Sequence, residues 1–211
     1  LREQGLAGRT LVLFTSDNGG TPRGVNTPLR GHKGSTLEGG MRVPMIAWWP
    51  GQVPAGTSCD AVTGMIDILP TFAALAGAQA PADRKLDGVN IWPLLAGTPD
   101  AKPAHETFYY YRGFRLEAVR HGEWKLQLPP EKKPQETAKL YNLTSDIGEA
   151  SDVAAANPET VAKLQQLVEA MKADLGLDGD GAPGSRELGK VADAQPIIGF
   201  DGKTRAGFEA K

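Results

Sequence analysis

Two patterns of apolar positions divide this chain. Leu11-Val12-Leu13-Phe14 is an unbroken apolar run. A half-exposed strand would alternate, so the run predicts a strand buried on both faces of a parallel sheet. Val43 to Trp49 predicts a second buried strand, stopped by Pro50-Gly51. Between them, Gly19 to Gly40 carries too much glycine, proline and charge to be an element. It reads as one long loop, and loops beyond about 15 residues are usually functional. Asp67 stands where it can cap a helix running to about Ala76, with Pro70 in the first turn and Gly77 as the stop. A short helix near Ile91 to Leu95 closes at Gly97. Leu1 to Gly5 reads as the tail of a helix with Gly5 near its C-cap. The first residues are therefore expected to belong to a unit that begins upstream.

The pattern changes near residue 104. Thr107 to Tyr111 is aromatic and strand-like. Leu116 to Arg120 and Glu123 to Leu128 flank His121-Gly122, which reads as a hairpin turn. Pro129 to Thr137 is a charged loop, and Lys139 to Leu143 a further strand. Asn157-Pro158 then opens a helix with Val161, Leu164, Val168, Met171 and Leu175 on one face. That face is expected to pack across the hairpin sheet. The division is thus 1–103, the C-terminal portion of an α/β sheet domain; 104–176, a small antiparallel sheet with one helix; and 177–211, a polar, glycine-rich tail.

Composition narrows the possibilities only slightly. A formal net charge of −2 gives no bulk attraction to nucleic acid. The single cysteine, Cys59, cannot form an internal disulfide, and it reads as a packing residue. No apolar run approaches the roughly 20 residues that span a bilayer.

The candidate chemistry sits at the end of the first strand. Asp17 and Asn18 follow it directly, where ligands of open α/β sheets bind. A carboxylate beside a carboxamide oxygen suits a hard cation such as Ca²⁺ or Mg²⁺. The competing reading is a turn, because Asn-Gly is a strong hairpin signal. Lys33 lies among Gly31, Gly34, Gly39 and Gly40, where the backbone can approach a ligand closely. Its ammonium suits one oxygen of an oxyanion, although most loop lysines are merely solvated.

Residues Leu6 to Gly19 resemble a segment of the sulfatase family, and Leu29 to Pro44 resemble the second signature of arylsulfatases. Further matches follow in order: Trp49-Pro50-Gly51, Ile66 to Thr71, Leu86 to Val89, Arg120 to Leu126, and Leu140 to Leu143. The resemblance covers residues 1 to about 175. It implies an alkaline-phosphatase-like α/β fold and hydrolysis of sulfate esters around one Ca²⁺. On the family pattern, Asp17 and Asn18 are metal ligands, and Lys33 is the catalytic and sulfate-binding lysine. The family's nucleophile is a formylglycine made in a Cys-x-Pro-x-Arg context. Ser58-Cys59-Asp60-Ala61-Val62 does not match it. The formylglycine half is therefore expected upstream of Leu1, and the chain alone is expected to lack turnover and to aggregate or partly unfold. The resemblance also suggests a periplasmic, secreted or lysosomal location. A phosphonate or phosphate ester hydrolase of the same superfamily, or a non-catalytic homologue, is the alternative.

Other residues are weaker candidates. His32 neighbours Lys33, and His105 precedes the aromatic run Phe108 to Tyr111; either could reach substrate. Glu38 is read as a brace for the glycine loop. His121 is read as an exposed turn residue, Asn142-Leu143-Thr144 fits a glycosylation sequon, and Trp48 and Trp49 end a core strand.

Overall fold

The computed structural model describes residues 1–175 and Arg186; the expected tail at 177–211 otherwise lies outside the described residues. The chain opens in a helical turn that stops at Gly5, whose φ is +66°. Leu6 N donates to Leu1 O and Gly5 N to Arg2 O, the paired bonds that close a helix on a left-handed residue.

Strands β1 (Val12–Thr15) and β2 (Met45–Trp48) follow the two apolar runs. The direction and burial differ from expectation. The two strands pair antiparallel, as a two-stranded ribbon, with Phe14 opposite Ile46 and Val12 opposite Trp48. Phe14 is 64% exposed and Ile46 59%. An apolar run records that both faces want cover. It carries no information about a partner's direction, nor about whether the cover comes from nearby residues. On that ribbon face Arg2 lies over the Trp48 ring, while Phe14 and Ile46 stay more than half exposed.

The predicted loop contains a short helix, α1 (Glu38–Met41). It sits on Gly39 and Gly40, which propensity alone would keep out of a helix. Helix α2 (Ile68–Leu75) ends before Gly77, whose φ is +70°, and α3 (Trp92–Leu95) ends before Gly97 at +64°. Asp67 does occupy the position before α2, but its side chain makes no cap bond to that helix. It turns back instead, accepting from Gly64 N at 2.8 Å and from Val89 N at 2.8 Å.

The second sheet is a meander of β3 (Thr107–Arg112), β4 (Arg115–His121), β5 (Trp124–Gln127) and β6 (Lys139–Asn142), in that order and antiparallel throughout. Gly122, at φ +57°, makes the β4–β5 turn where the sequence placed it. Helix α4 (Pro158–Leu175) packs on β4 and β5. Leu116, Val119, Leu126, Leu140, Leu164 and Val168 form a closed core there, with Val161 and Met171 packed against it. Each fully buried leucine or valine contributes on the order of 1.5–3 kcal/mol.

Register assigns the sheet two unlike faces. Tyr109, Val119, Leu126 and Leu140 are aligned across it, and this apolar row faces α4. The neighbouring rows carry Tyr110, Ala118, Gln127 and Lys139, and Phe108, Arg120, Lys125 and Tyr141. Side chains of this second face reach the loop that leads into α1.

Candidate functional site

The loop after β1 and the glycine loop are joined through their backbones. Gly19 N donates to Gly40 O at 2.9 Å, and Lys33 N donates to Gly20 O at 2.9 Å. Asn26 staples the same place: its Oδ1 accepts from Gly20 N at 2.9 Å, and its Nδ2 donates to Gly20 O and Gly31 O. The approach is so close that side chains are excluded. A Cβ on Gly19 would lie 1.9 Å from Gly39 O across the junction, and within the glycine loop itself one on Gly40 would lie 2.2 Å from Ser35 O. The glycines are therefore required by contact.

This packing makes Asp17-Asn18 and His32-Lys33 neighbouring segments of one surface. Asp17, His32 and Lys33 are exposed, and Asn18 is half-buried. His32 Nδ1 lies 3.0 Å from Lys33 O. The donor types fit a hard cation: one carboxylate and one carboxamide oxygen. They are two of the six to eight oxygens such an ion takes. No group of three or more His, Cys, Asp or Glu residues that could hold a metal occurs among the described residues.

The glycine loop is held from below by a buried ionic cluster. Lys125 Nζ donates to Thr36 O and to Glu38 Oε1, each at 2.8 Å, and pairs with Glu149 Oε1 at 3.0 Å. It also lies 4.1 Å from the centre of the Tyr110 ring. Tyr110 Oη donates to Glu38 Oε1 at 3.0 Å, and Glu149 Oε2 accepts from Glu38 N at 2.7 Å. The Lys125 and Glu149 side chains are wholly buried and Glu38 nearly so. Burial by itself raises the Glu38 carboxyl, but the charge and hydrogen bond of Lys125, together with the Tyr110 hydrogen bond and the Arg120 charge, outweigh it and hold the group below its ordinary value. Burial, then the Glu38 charge, pushes the Tyr110 phenol well above its own. Glu38 thus braces the loop, as its place in the sequence suggested. Lys125 and Glu149 gave no such signal: in an alternating strand, Lys125 reads as a solvated residue.

A second clamp lies at Asp67. His105 Nε2 lies 2.9 and 3.0 Å from the two Asp67 carboxylate oxygens, and its side chain is only 10% exposed. Its ring packs edge-on to Phe108. The imidazole is engaged at the junction of α2 and the small sheet, against Asp67 and Phe108. The other candidates also have definite places. Cys59 is exposed rather than packed, because its segment carries no strand or helix to bury it. His121 is tied rather than free, with Nδ1 2.8 Å from Thr107 Oγ1 and Nε2 3.1 Å from Lys163 Nζ. Asn142 uses its carboxamide internally, accepting from Thr144 N and donating to Glu123 Oε2. Trp49 ends the ribbon by donating to Gly8 O and packing on Trp92.

Comparison with known proteins follows the same stretches. Residues 1–78 match the family model described as Sulfatase. Over these residues the chain is similar to the sulfatase family. Pig N-acetylgalactosamine-6-sulfatase is 42% identical over 132 residues, which are 59% of this chain and 24% of that protein. Human arylsulfatase A is 36% identical over 203 residues, 81% of this chain and 39% of the relative. The chain therefore spans well under half the length of these sulfatases. Among solved structures, the crystal structure of Ps i-CgsB in complex with k-i-k-neocarrahexaose superposes with a TM-score of 0.70 at 35% identity. That likeness covers 81% of this chain and 38% of the other. The α/β fold is that of sulfatase structures, as the sequence led one to expect.

Proposed function

We propose that this chain supplies part of the active site of a sulfuric ester hydrolase: two metal ligands and the lysine that binds the sulfate. The observation that carries this reading is the backbone junction of the two loops through Gly19–Gly40 and Gly20–Lys33. It keeps Asp17, Asn18 and Lys33 on adjacent segments, and the relatives' sulfatase names point to the same chemistry. Asp17 and Asn18 would hold Ca²⁺, or Mg²⁺, through oxygen, with further ligands from outside the pair. The ion, when bound, supplies positive charge to polarise a sulfate oxygen. The Lys33 ammonium faces the negative charge that grows as the S–O bond breaks, and its fixed backbone saves reorganisation at that moment. His32 is a second donor toward the sulfate. His105 contributes indirectly, by fixing Asp67. Around Cys59 the residues do not form the family's formylglycine context, so this chain supplies no nucleophile of that type and does not turn over by itself.

The test uses the whole protein with an aryl sulfate. Lys33→Ala lowers kcat by on the order of a hundredfold or more, and Asp17→Ala weakens calorimetric Ca²⁺ binding. Wild-type rates in Lys33→Ala, or unchanged Ca²⁺ binding in Asp17→Ala, rejects the assignment. A faster reaction with the matching aryl phosphate favours the phosphoester reading instead.

A further inference from the structure

The segment that joins the two halves of the candidate site is exposed except at one residue. Thr21 to Val25 and Thr27-Pro28 face solvent, and Asn26 between them is half-buried. Its side chain turns inward and makes three hydrogen bonds, all to backbone. Oδ1 accepts from Gly20 N at 2.9 Å, while Nδ2 donates to Gly20 O at 3.2 Å and to Gly31 O at 3.0 Å. Gly20 stands two residues after Asn18, and Gly31 two residues before Lys33. One carboxamide thus grips the chain just beyond the cation pair and just ahead of the lysine.

This grip needs a donor and an acceptor on one short, planar group. A carboxamide has both; a carboxylate at neutral pH only accepts, and an alkyl group does neither. At Gly20 the carboxamide meets both backbone groups of one residue, as a facing strand residue would. Gly20 O is shared, because Lys33 N also donates to it at 2.9 Å. The fit is tight: a Cβ on Gly20 would lie 2.6 Å from Asn26 Oδ1. The segments held in this way contain Gly19, Gly20, Gly24, Gly31 and Gly34, and glycine-rich chain has the most conformational freedom to restrain.

We propose that Asn26 is a positioning residue that sets the separation between Asp17-Asn18 and Lys33. It acts through Gly20 and Gly31, and so governs cation binding and turnover together. The proposal rests on the reading above for what those residues bind. Misplacing a reacting group by about 1 Å costs on the order of a hundredfold in rate, so a side chain that only places backbone has a kinetic effect.

The experiment compares variants of the whole protein by aryl sulfate kinetics, calorimetric Ca²⁺ titration and amide hydrogen exchange. Asn26→Ala lowers kcat by about tenfold or more and weakens Ca²⁺ binding by about fivefold. It also speeds exchange of the Gly20 and Lys33 amides together. Gly20→Ala, whose new Cβ displaces the carboxamide, gives the same three changes. Asn26→Asp keeps the acceptor for Gly20 N and loses both donations, so it restores protection of the Gly20 amide and not of the Lys33 amide. Val168→Ala, in the core beneath α4, lowers the melting midpoint but leaves kcat and Ca²⁺ binding within about twofold. Asn26→Ala behaving like Val168→Ala overturns the proposal, as does a fall in kcat with Ca²⁺ binding and both amides unchanged. The exchange readings need no turnover. They decide whether Asn26 ties the two segments even where Lys33→Ala and Asp17→Ala reject the catalytic reading, so the two failures are distinguishable.

Discussion

The two regions of this molecule solve burial differently. The small sheet closes its own core: Val119, Leu126 and Leu140 are fully buried beneath α4. The β1–β2 ribbon leaves Phe14 and Ile46 more than half exposed, and α2 leaves Leu69 58% exposed. Yet the ribbon region carries the residues proposed for chemistry. Its order comes from across the boundary, because Lys125 and Glu149 hold Glu38, and His105 holds Asp67. The comparison teaches that the self-sufficient region acts as the anvil for the other. The glycine loop is shaped less by its own sequence than by the polar face on which it rests.

The largest expected effect comes from breaking that anvil. Lys125→Met leaves two buried carboxylates, Glu38 and Glu149, without their cation. Removing one partner of a buried ion pair costs about 3–5 kcal/mol, read as a lowered midpoint in urea unfolding of the whole protein. A loss below about 1 kcal/mol would mean that the loop does not depend on the cluster. Next comes a matched pair across the boundary. Leu126→Ala opens a cavity in the closed core and costs about 3 kcal/mol. Phe14→Ser, on the exposed ribbon face, changes stability by about 0.5 kcal/mol or less. A large loss from Phe14→Ser would show that this face is covered in the working protein, and the contrast between regions would disappear.

The smallest effect is a pH dependence. The Glu38 carboxyl is held below its ordinary value of 4.5. Its stabilisation is therefore complete above pH 4.5 and is lost as pH falls toward the depressed folded value, because the unfolded chain takes up the proton first. Stability measured through that window falls less steeply in Glu38→Gln than in the wild type. Identical slopes would place the acid-sensitive group elsewhere.

Much of the fold was legible because local rules and tertiary structure agreed. The turns at Gly77, Gly97 and Gly122 need a left-handed residue, and glycine announces it. The amphipathic stripe of α4 identified its buried face, and Leu164 and Val168 are indeed in the core. Other features were illegible for stated reasons. Helix α1 contains two glycines, so no propensity rule would place a helix there; close contact with the backbone of Arg30 to Ser35 selects them instead. Asp67 looked like a cap because its neighbours in sequence form a helix, but its stronger partners are Val89 and His105, 22 and 38 residues away. Such partners leave no periodic trace.

The amino-acid order by itself determined where strands and turns lie, which residues could bind a cation or an oxyanion, and the family to which the chain is similar. These depend on short-range sterics and on residue type, which local sequence carries. Tertiary structure alone decided the fate of the second face of the small sheet. Alternation marks Lys125 and Gln127 as pointing away from the core, and water is the default neighbour in that direction. Only when the glycine loop folds over that face does Lys125 become a buried cation between two carboxylates. The physical reason is that burial belongs to pairs of surfaces, and a one-dimensional pattern describes only one surface at a time.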